Sequence, residues 1–238
     1  MIQGYEIWDG PEMEVIQTWK LPLNKIVISK WLWNIANEMK ETAALIPFGL
    51  NQDEFGIDQL PVNRQISVVG MLYHCMEVKG TEDGLRALYY VKEQKPELQV
   101  RLFGVFAPPK LPSWISYDQL PSRKRLRELY NECQIFLAPS HSEGLSFTTL
   151  ESMLCGASLV ATNIGGHIDY ALDRKTALLA PPKNPIALSE CVIQLLNQPE
   201  LRLKLASEGE KIAAEFTLES AGLKLEQLLL KSITSNGP

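Results

Sequence analysis

From residue 66 to residue 196 short apolar runs alternate with stretches of helical period, and this rhythm more than anything else limits the folds open to the chain. Ile66-Ser67-Val68-Val69-Gly70 reads as a strand, followed by a loop to Lys79-Gly80 and a helix over 81–91. The pattern continues with a strand over 98–104, a short strand near Trp114-Ile115-Ser116, a helix over 122–133 and the strand Ile135-Phe136-Leu137-Ala138. Next come a helix over about 145–154, strands at 158–161 and 177–180, and a helix over 185–196. Short, mostly apolar runs separated by helices do not suit a sheet with one wet face. They predict a parallel sheet covered by helices on both sides, an α/β Rossmann-like domain. Two amphipathic helices, at about 199–215 and 217–231, close the pattern.

The first 63 residues are less regular. Residues 1–23 carry Trp8, Trp19, Pro11 and Pro22 without a sustained period and read as irregular chain around one or two short strands. Lys25-Ile26-Val27-Ile28 followed by Ser29, a suitable N-cap, and by Trp31, Ile35 and Met39 at helical spacing makes one βα unit. The expected division is therefore residues 1–45 as the remnant of a preceding domain, 46–63 as a linker around Pro47 and Pro61, 64–215 as the main domain, and 216–238 as a terminal helix and tail.

Composition excludes some functions. The formal net charge is -5, which argues against a nucleic-acid binder, since displacing counterions from a phosphate backbone needs a basic surface. The four cysteines form no CxxC pair and have no ligand spacing to the three histidines, so a metal site is not expected. The start has no basic n-region or apolar h-region, and no run approaches the ~20 apolar residues of a membrane span. The expectation is a cytoplasmic protein, with association at a membrane surface left open.

In an open parallel sheet ligands bind beyond the carboxyl ends of the strands, where loops lead into helix N-termini whose free N–H groups favour anions. Three loops qualify. The first runs from Gly70 to Lys79-Gly80, where Lys79 is a point cation suited to a diphosphate; alone, such a lysine is ordinarily a solvated surface residue. The second, Pro139-Ser140-His141-Ser142-Glu143-Gly144-Leu145-Ser146, leads into a helix carrying Glu151. Gly144 lets backbone approach a ligand, the amides near Leu145 and Ser146 face a phosphate, and Glu151 is placed to accept from ribose hydroxyls. A capping acid followed by a solvated helix glutamate gives the same spacing with no ligand. The third loop is Thr162-Asn163-Ile164-Gly165-Gly166-His167, whose histidine, like His141, is not assigned a catalytic role.

Context separates these alternatives. Ala138-Pro139-Ser140, Glu143-Gly144, Leu150-Glu151-Ser152-Met153, Cys155-Gly156-Ala157, Val160-Ala161-Thr162 and Gly165-Gly166 follow one another in order and at close spacing. Together they resemble the donor-binding C-terminal domain of the group 1 family of GT-B retaining glycosyltransferases. Leu178-Leu179-Ala180-Pro181-Pro182, Ile46-Pro47-Phe48-Gly49-Leu50-Asn51 with Phe55, and Lys79-Gly80 extend the resemblance over about residues 25–215. It implies a nucleoside-diphosphate sugar as donor substrate, with no cofactor or metal, for transfer to a glycan or glycolipid acceptor, in a setting such as polysaccharide biosynthesis.

By the same resemblance Lys79 holds the diphosphate, the amides of Gly144, Leu145 and Ser146 bind phosphate and sugar, and Glu151 binds the ribose. Glu143, the candidate catalytic residue, orients the donor sugar. The base lies near Ser116 and Tyr117, and Gly70 ends the first strand of the site. The chain departs from the family at Met71, where an arginine is usual, and in most of the N-terminal acceptor domain. A non-catalytic donor-binding subunit needing a separate N-terminal half, or a homo-oligomer covering the last helix, is one alternative. A nucleotide-sugar epimerase of the same architecture is another.

Overall fold

The strands of the main domain pair only in parallel, in the order β5-β4-β3-β6-β7-β8. They are β3 Val68–Leu72, β4 Gln99–Gly104, β5 Ile115–Gln119, β6 Ile135–Ala138, β7 Ser158–Thr162 and β8 Ala177–Ala180. The computed structural model describes residues 1–7, 10–65, 67–107 and 110–235; Trp8 of the N-terminal segment and Ile66, expected to open the first strand, lie outside the described residues. Chain order runs outward from β3 in one direction and from β6 in the other, so connections cross the sheet on opposite faces on the two sides of the β3/β6 pair.

Alternation along the strands builds two cores. Val69, Met71, Val100, Leu102, Ile135, Leu137, Val160 and Leu178 point to one face. There they pack with Ala87, Leu88 and Val91 of α3 (Thr81–Gln94) and Leu188, Val192 and Leu195 of α6 (Pro185–Asn197). Phe103, Phe136, Ala138, Leu159, Ala161 and Ala177 point to the other. They meet Leu126, Leu129 and Tyr130 of α4 (Arg123–Glu132) and Leu150, Met153 and Leu154 of α5 (Phe147–Leu154). Every residue of β6 and of β7 is buried, which is why neither reads as an alternating strand in sequence. The α/β expectation is met.

Ahead of this sheet lies a smaller one. β1 (Lys25–Val27) pairs in parallel with β2 (Ala43–Leu45), and Ile2 forms a parallel bridge with Val27. Between them α2 (Lys30–Glu38) starts at Ser29, whose hydroxyl accepts from the Leu32 amide at 3.4 Å. One expectation is corrected here: residues 1–23 hold a helix, α1 (Glu12–Trp19), with Pro11 before it and Glu12 and Glu14 in its first turn. Only Trp19 of its eight residues is buried, so no period shows in the sequence.

α7 (Pro199–Ala213) closes the main domain, and α8 (Leu218–Ser235) follows. Leu50 reaches the turn between them: its amide donates to the Phe216 carbonyl at 2.8 Å and it bridges Thr217. No helix among the described residues is long and apolar enough to cross a membrane.

Candidate functional site

Because strand order reverses between β3 and β6, their connections leave in opposite directions and a crevice opens beyond their carboxyl ends. Two loops meet there. Residues 73–80 follow β3 and residues 139–146 follow β6, and the His141 amide ties them by donating to the Val78 carbonyl at 2.7 Å. Lys79 Nζ donates to both carboxylate oxygens of Glu143 at 2.9 Å, and Ser140 Oγ donates to Glu143 Oε1 at 2.8 Å. The Glu143 side chain is only 10% exposed, so this pair is shielded enough for its charge to matter. Behind it, His141 Nε2 lies 2.8 Å from Asp83 in the first turn of α3.

Gly144 is needed for close approach. A Cβ there would lie 1.7 Å from the carbonyl oxygen of Gln3, so the N-terminal segment rests directly on the second loop. Leu145 and Ser146 are buried, and Ser146 is still extended (φ -93°, ψ 109°). α5 consequently starts at Phe147, two residues later than its expected start, and the turn before it presents backbone at a helix N-terminus.

Glu151 is not the solvated helix glutamate of the ligand-free alternative. It is 4% exposed, accepting from Tyr130 Oη and from Arg123 Nη1, each at 3.0 Å. Burial pushes its carboxyl up, against the opposing pull of Tyr130 and Arg123, and burial beside Glu151 drives the Tyr130 phenol well above its ordinary value. Arg123, by contrast, is 64% exposed in its side chain, lies 3.6 Å from Glu54 and covers the Phe55 ring at 5.6 Å. It forms a solvent-facing lid over a buried carboxylate. Sequence reasoning missed both partners. A signal existed, since Arg123, Lys124 and Arg125 open α4 with no acid in its first turn, against the preference of a helix N-terminus.

The remaining expected residues lie apart. Tyr117 on β5 meets Tyr73 edge-on at 5.6 Å and donates to the Phe106 carbonyl, forming an aromatic wall on the far flank. Gly70 is inside β3 rather than at its end, because the strand continues to Leu72; a Cβ there would lie 2.7 Å from Cys133 Sγ, so its small size makes room for the end of α4. Met71 is fully buried against α3, where a Cβ on Gly84 would lie 2.4 Å from its sulfur. The position therefore supplies packing, not a cation. Lys79, Glu143 and Gly144 are the site residues brought together at the crevice, with Glu151 one helical turn behind the start of α5.

A family model for glycosyl transferases group 1 matches residues 58–212. The chain belongs to this family. Its six-stranded parallel domain matches the corresponding part of GT-B glycosyltransferase structures, and glycosyl transfer is the activity of the family. An uncharacterized glycosyltransferase of Methanocaldococcus jannaschii is 32% identical over 108 residues, 44% of this chain and 31% of that protein. The N,N'-diacetylbacillosaminyl-diphospho-undecaprenol alpha-1,3-N-acetylgalactosaminyltransferase of Campylobacter jejuni is 31% identical over 117 residues, 48% of this chain and 31% of that protein. The chain thus matches less than a third of the length of these curated family members. Among solved structures, Anabaena HepE in complex with UDP-glucose aligns with a TM-score of 0.80 at 15% identity, covering 96% of this chain and 71% of that one; such a likeness speaks to the fold.

Proposed function

We propose that this group 1 family member binds a nucleoside-diphosphate sugar in the crevice between β3 and β6 and takes part in transferring the sugar, with retention of anomeric configuration, to a glycan or glycolipid acceptor. The observation that carries the proposal is the Lys79–Glu143 pair, which joins the two loops at the point where strand order reverses. On donor binding Lys79 exchanges the carboxylate for the diphosphate, and Glu143 turns to a sugar hydroxyl. As the glycosidic bond breaks, negative charge grows on the departing diphosphate. A fixed ammonium and the amides of Gly144, Leu145 and Ser146 at the start of α5 stabilise that charge without reorganising, so the step needs no metal.

Glu151 then holds the ribose hydroxyls, with Arg123 displaced from it, and the base lies toward Tyr117. In this reading residues 64–215 are the donor domain, residues 46–63 a linker, residues 1–45 belong to the acceptor side, and α8 crosses between the two. The Campylobacter relative, named for a diphospho-undecaprenol acceptor, supports a lipid-linked acceptor, polysaccharide assembly and work at a membrane surface. The HepE complex supports a uridine diphosphate sugar as the first donor to try.

Calorimetric titration of UDP, GDP and dTDP sugars into the wild type and Glu151→Ala tests the proposal. The wild type is expected to bind one nucleotide class with Glu151→Ala at least tenfold weaker, about 1.4 kcal/mol. Absence of binding by the wild type across the panel overturns it.

A further inference from the structure

Among the described residues, three buried side-chain atoms have no hydrogen-bond partner: His167 Nε2, Asp169 Oδ1 and Tyr170 Oη. All three fall within four consecutive positions, beside the crevice. Buried polar atoms are nearly always paired, so such a cluster needs a reason. Asp169 has one, since its other oxygen accepts from the Lys30 amide at 2.9 Å and Oδ1 lies 3.6 Å from Lys30 Nζ. His167 Nε2 and the Tyr170 O–H find none among the described residues.

Their chemistry is complementary. The His167 and Tyr170 rings lie 5.7 Å apart, and both residues are at most 1% exposed. His167 Nδ1 donates to the Thr162 carbonyl at 2.8 Å, which in the neutral ring leaves Nε2 as a bare acceptor. Burial holds that ring below its ordinary value and therefore neutral. The Tyr170 oxygen lies beneath the second loop against the Thr149 side chain and the Ser146 backbone, which act on it as donors, while its O–H has no acceptor. The segment also abuts Glu143, because a Cβ on Gly166 would lie 2.2 Å from the Glu143 carbonyl oxygen. Glu143 and Lys79 both act on the charge of His167. An unused acceptor beside an unused donor is the complement of one alcohol group, which accepts and donates through the same oxygen.

We propose that His167 and Tyr170 read a hydroxyl of the transferred sugar, Nε2 accepting from it and the Tyr170 hydroxyl donating to it. This rests on the donor-site proposal above and adds to it a pair of specificity-determining residues. In this structure the Gln3 carbonyl lies over Gly144 in the second loop. A nucleoside diphosphate without its sugar makes no use of the pair.

The test uses the full chain with whichever of UDP-glucose, UDP-N-acetylglucosamine and GDP-mannose the wild type binds most tightly, beside the matching free nucleoside diphosphate. His167→Phe and Tyr170→Phe are each expected to weaken the nucleotide sugar about tenfold, 1.4 kcal/mol, and to leave the diphosphate unchanged. Tyr170→Phe should melt close to the wild type, whereas His167→Phe also gives up the Nδ1 bond to the Thr162 carbonyl and should melt somewhat lower, so for His167 the affinity difference between the two ligands is the readout. His167→Gln, which keeps an acceptor on a side chain of similar reach, should restore part of the loss. Equal weakening of both ligands, or a lower melting temperature with unchanged affinity for the nucleotide sugar, overturns the proposal and leaves the two residues a structural role. Tyr170→Phe removes one oxygen at constant ring shape, so it gives an answer even if His167→Phe does not fold. If neither nucleotide sugars nor diphosphates bind the wild type, the donor-site proposal fails first and this one with it. Binding of both with no discrimination by either variant sinks this one alone.

Discussion

The two ends of the main sheet treat their polar groups in opposite ways. At the amino-terminal end Arg64 is 3% exposed and fully engaged: it donates to the carbonyls of Gln59 (2.9 and 3.1 Å), Cys133 (2.7 Å) and Cys155 and to Asn131 Oδ1 (3.4 Å). One guanidinium thereby fastens the segment at Gln59 to the C-terminal ends of α4 and α5, where a cation also complements the helix dipoles. At the carboxyl end, among the described residues, a lysine and a glutamate hold only each other and one serine, Glu151 is covered by an arginine side chain open to solvent, and His167 Nε2 and the Tyr170 O–H have no partner. Polar groups at the first end complete one another within the fold. At the second they do not, and that is the end where a parallel sheet of this order binds ligands.

That contrast breaks if stability and binding do not separate. The largest effect is expected for Arg64→Met, which leaves several buried carbonyls without a donor: a loss of about 3 kcal/mol in chemical unfolding, with nucleotide-sugar affinity per folded molecule unchanged. An altered affinity at full stability would erase the distinction between the ends. Lys79→Met should do the reverse, lowering nucleotide-sugar and diphosphate affinity about 100-fold, 2.7 kcal/mol, with little change in melting temperature. A shielded Glu143 left without its cation adds a small penalty to the free state, so Lys79→Met with Glu143→Gln should melt slightly higher than Lys79→Met alone. Next in size, Arg123→Ala removes the lid from Glu151. Ligand no longer has to displace it, so the nucleotide is expected to bind about threefold more tightly in titration, about 0.6 kcal/mol. A tenfold weakening would instead show that Arg123 itself holds the nucleotide.

Much of the fold was legible because short strands that are buried on both faces leave unbroken apolar runs, as at 135–138 and 177–180. What escaped was short or weakly buried. β2 is only Ala43-Ala44-Leu45, and α1 hides a single tryptophan. At the crevice, Lys79 and Glu143 stood out from their loops and motif context, and the structure sets them 2.9 Å apart although 64 residues separate them in sequence. The partners of Glu151 were not legible. Arg123 and Tyr130 reach it from 28 and 21 residues away, and only the packing of α4 on α5 decides which of the basic residues at 123–125 turns inward. The unpaired state of His167 was equally out of reach, since it depends on what does not touch the ring.

The effect hardest to resolve concerns that ring and sharpens the contrast from the stability side. Burial holds His167 below the ordinary histidine value of 6.5, so as pH falls past that value the unfolded chain takes up a proton that the native site refuses. The stability this residue contributes is complete above the unfolded value and is lost as pH falls toward the folded one. For one proton the slope cannot exceed about 1.4 kcal/mol per pH unit, and within that ceiling stability is expected to fall between pH 7.5 and 5.5. His74 is lowered as well, by burial and then by Lys79, so the wild-type curve alone mixes two histidines. Comparison with His167→Phe separates them, because His74 is present in both chains and its share cancels. Denaturant unfolding of the two proteins at pH 7.5 and 5.5 should therefore show the wild type losing more stability than the variant over that interval. Equal losses would mean that the native site accepts the proton as readily as the unfolded chain does. His167 Nε2 would then have a proton acceptor or water within reach, and the unpaired acceptor that sets this end of the sheet apart from the Arg64 end would be gone.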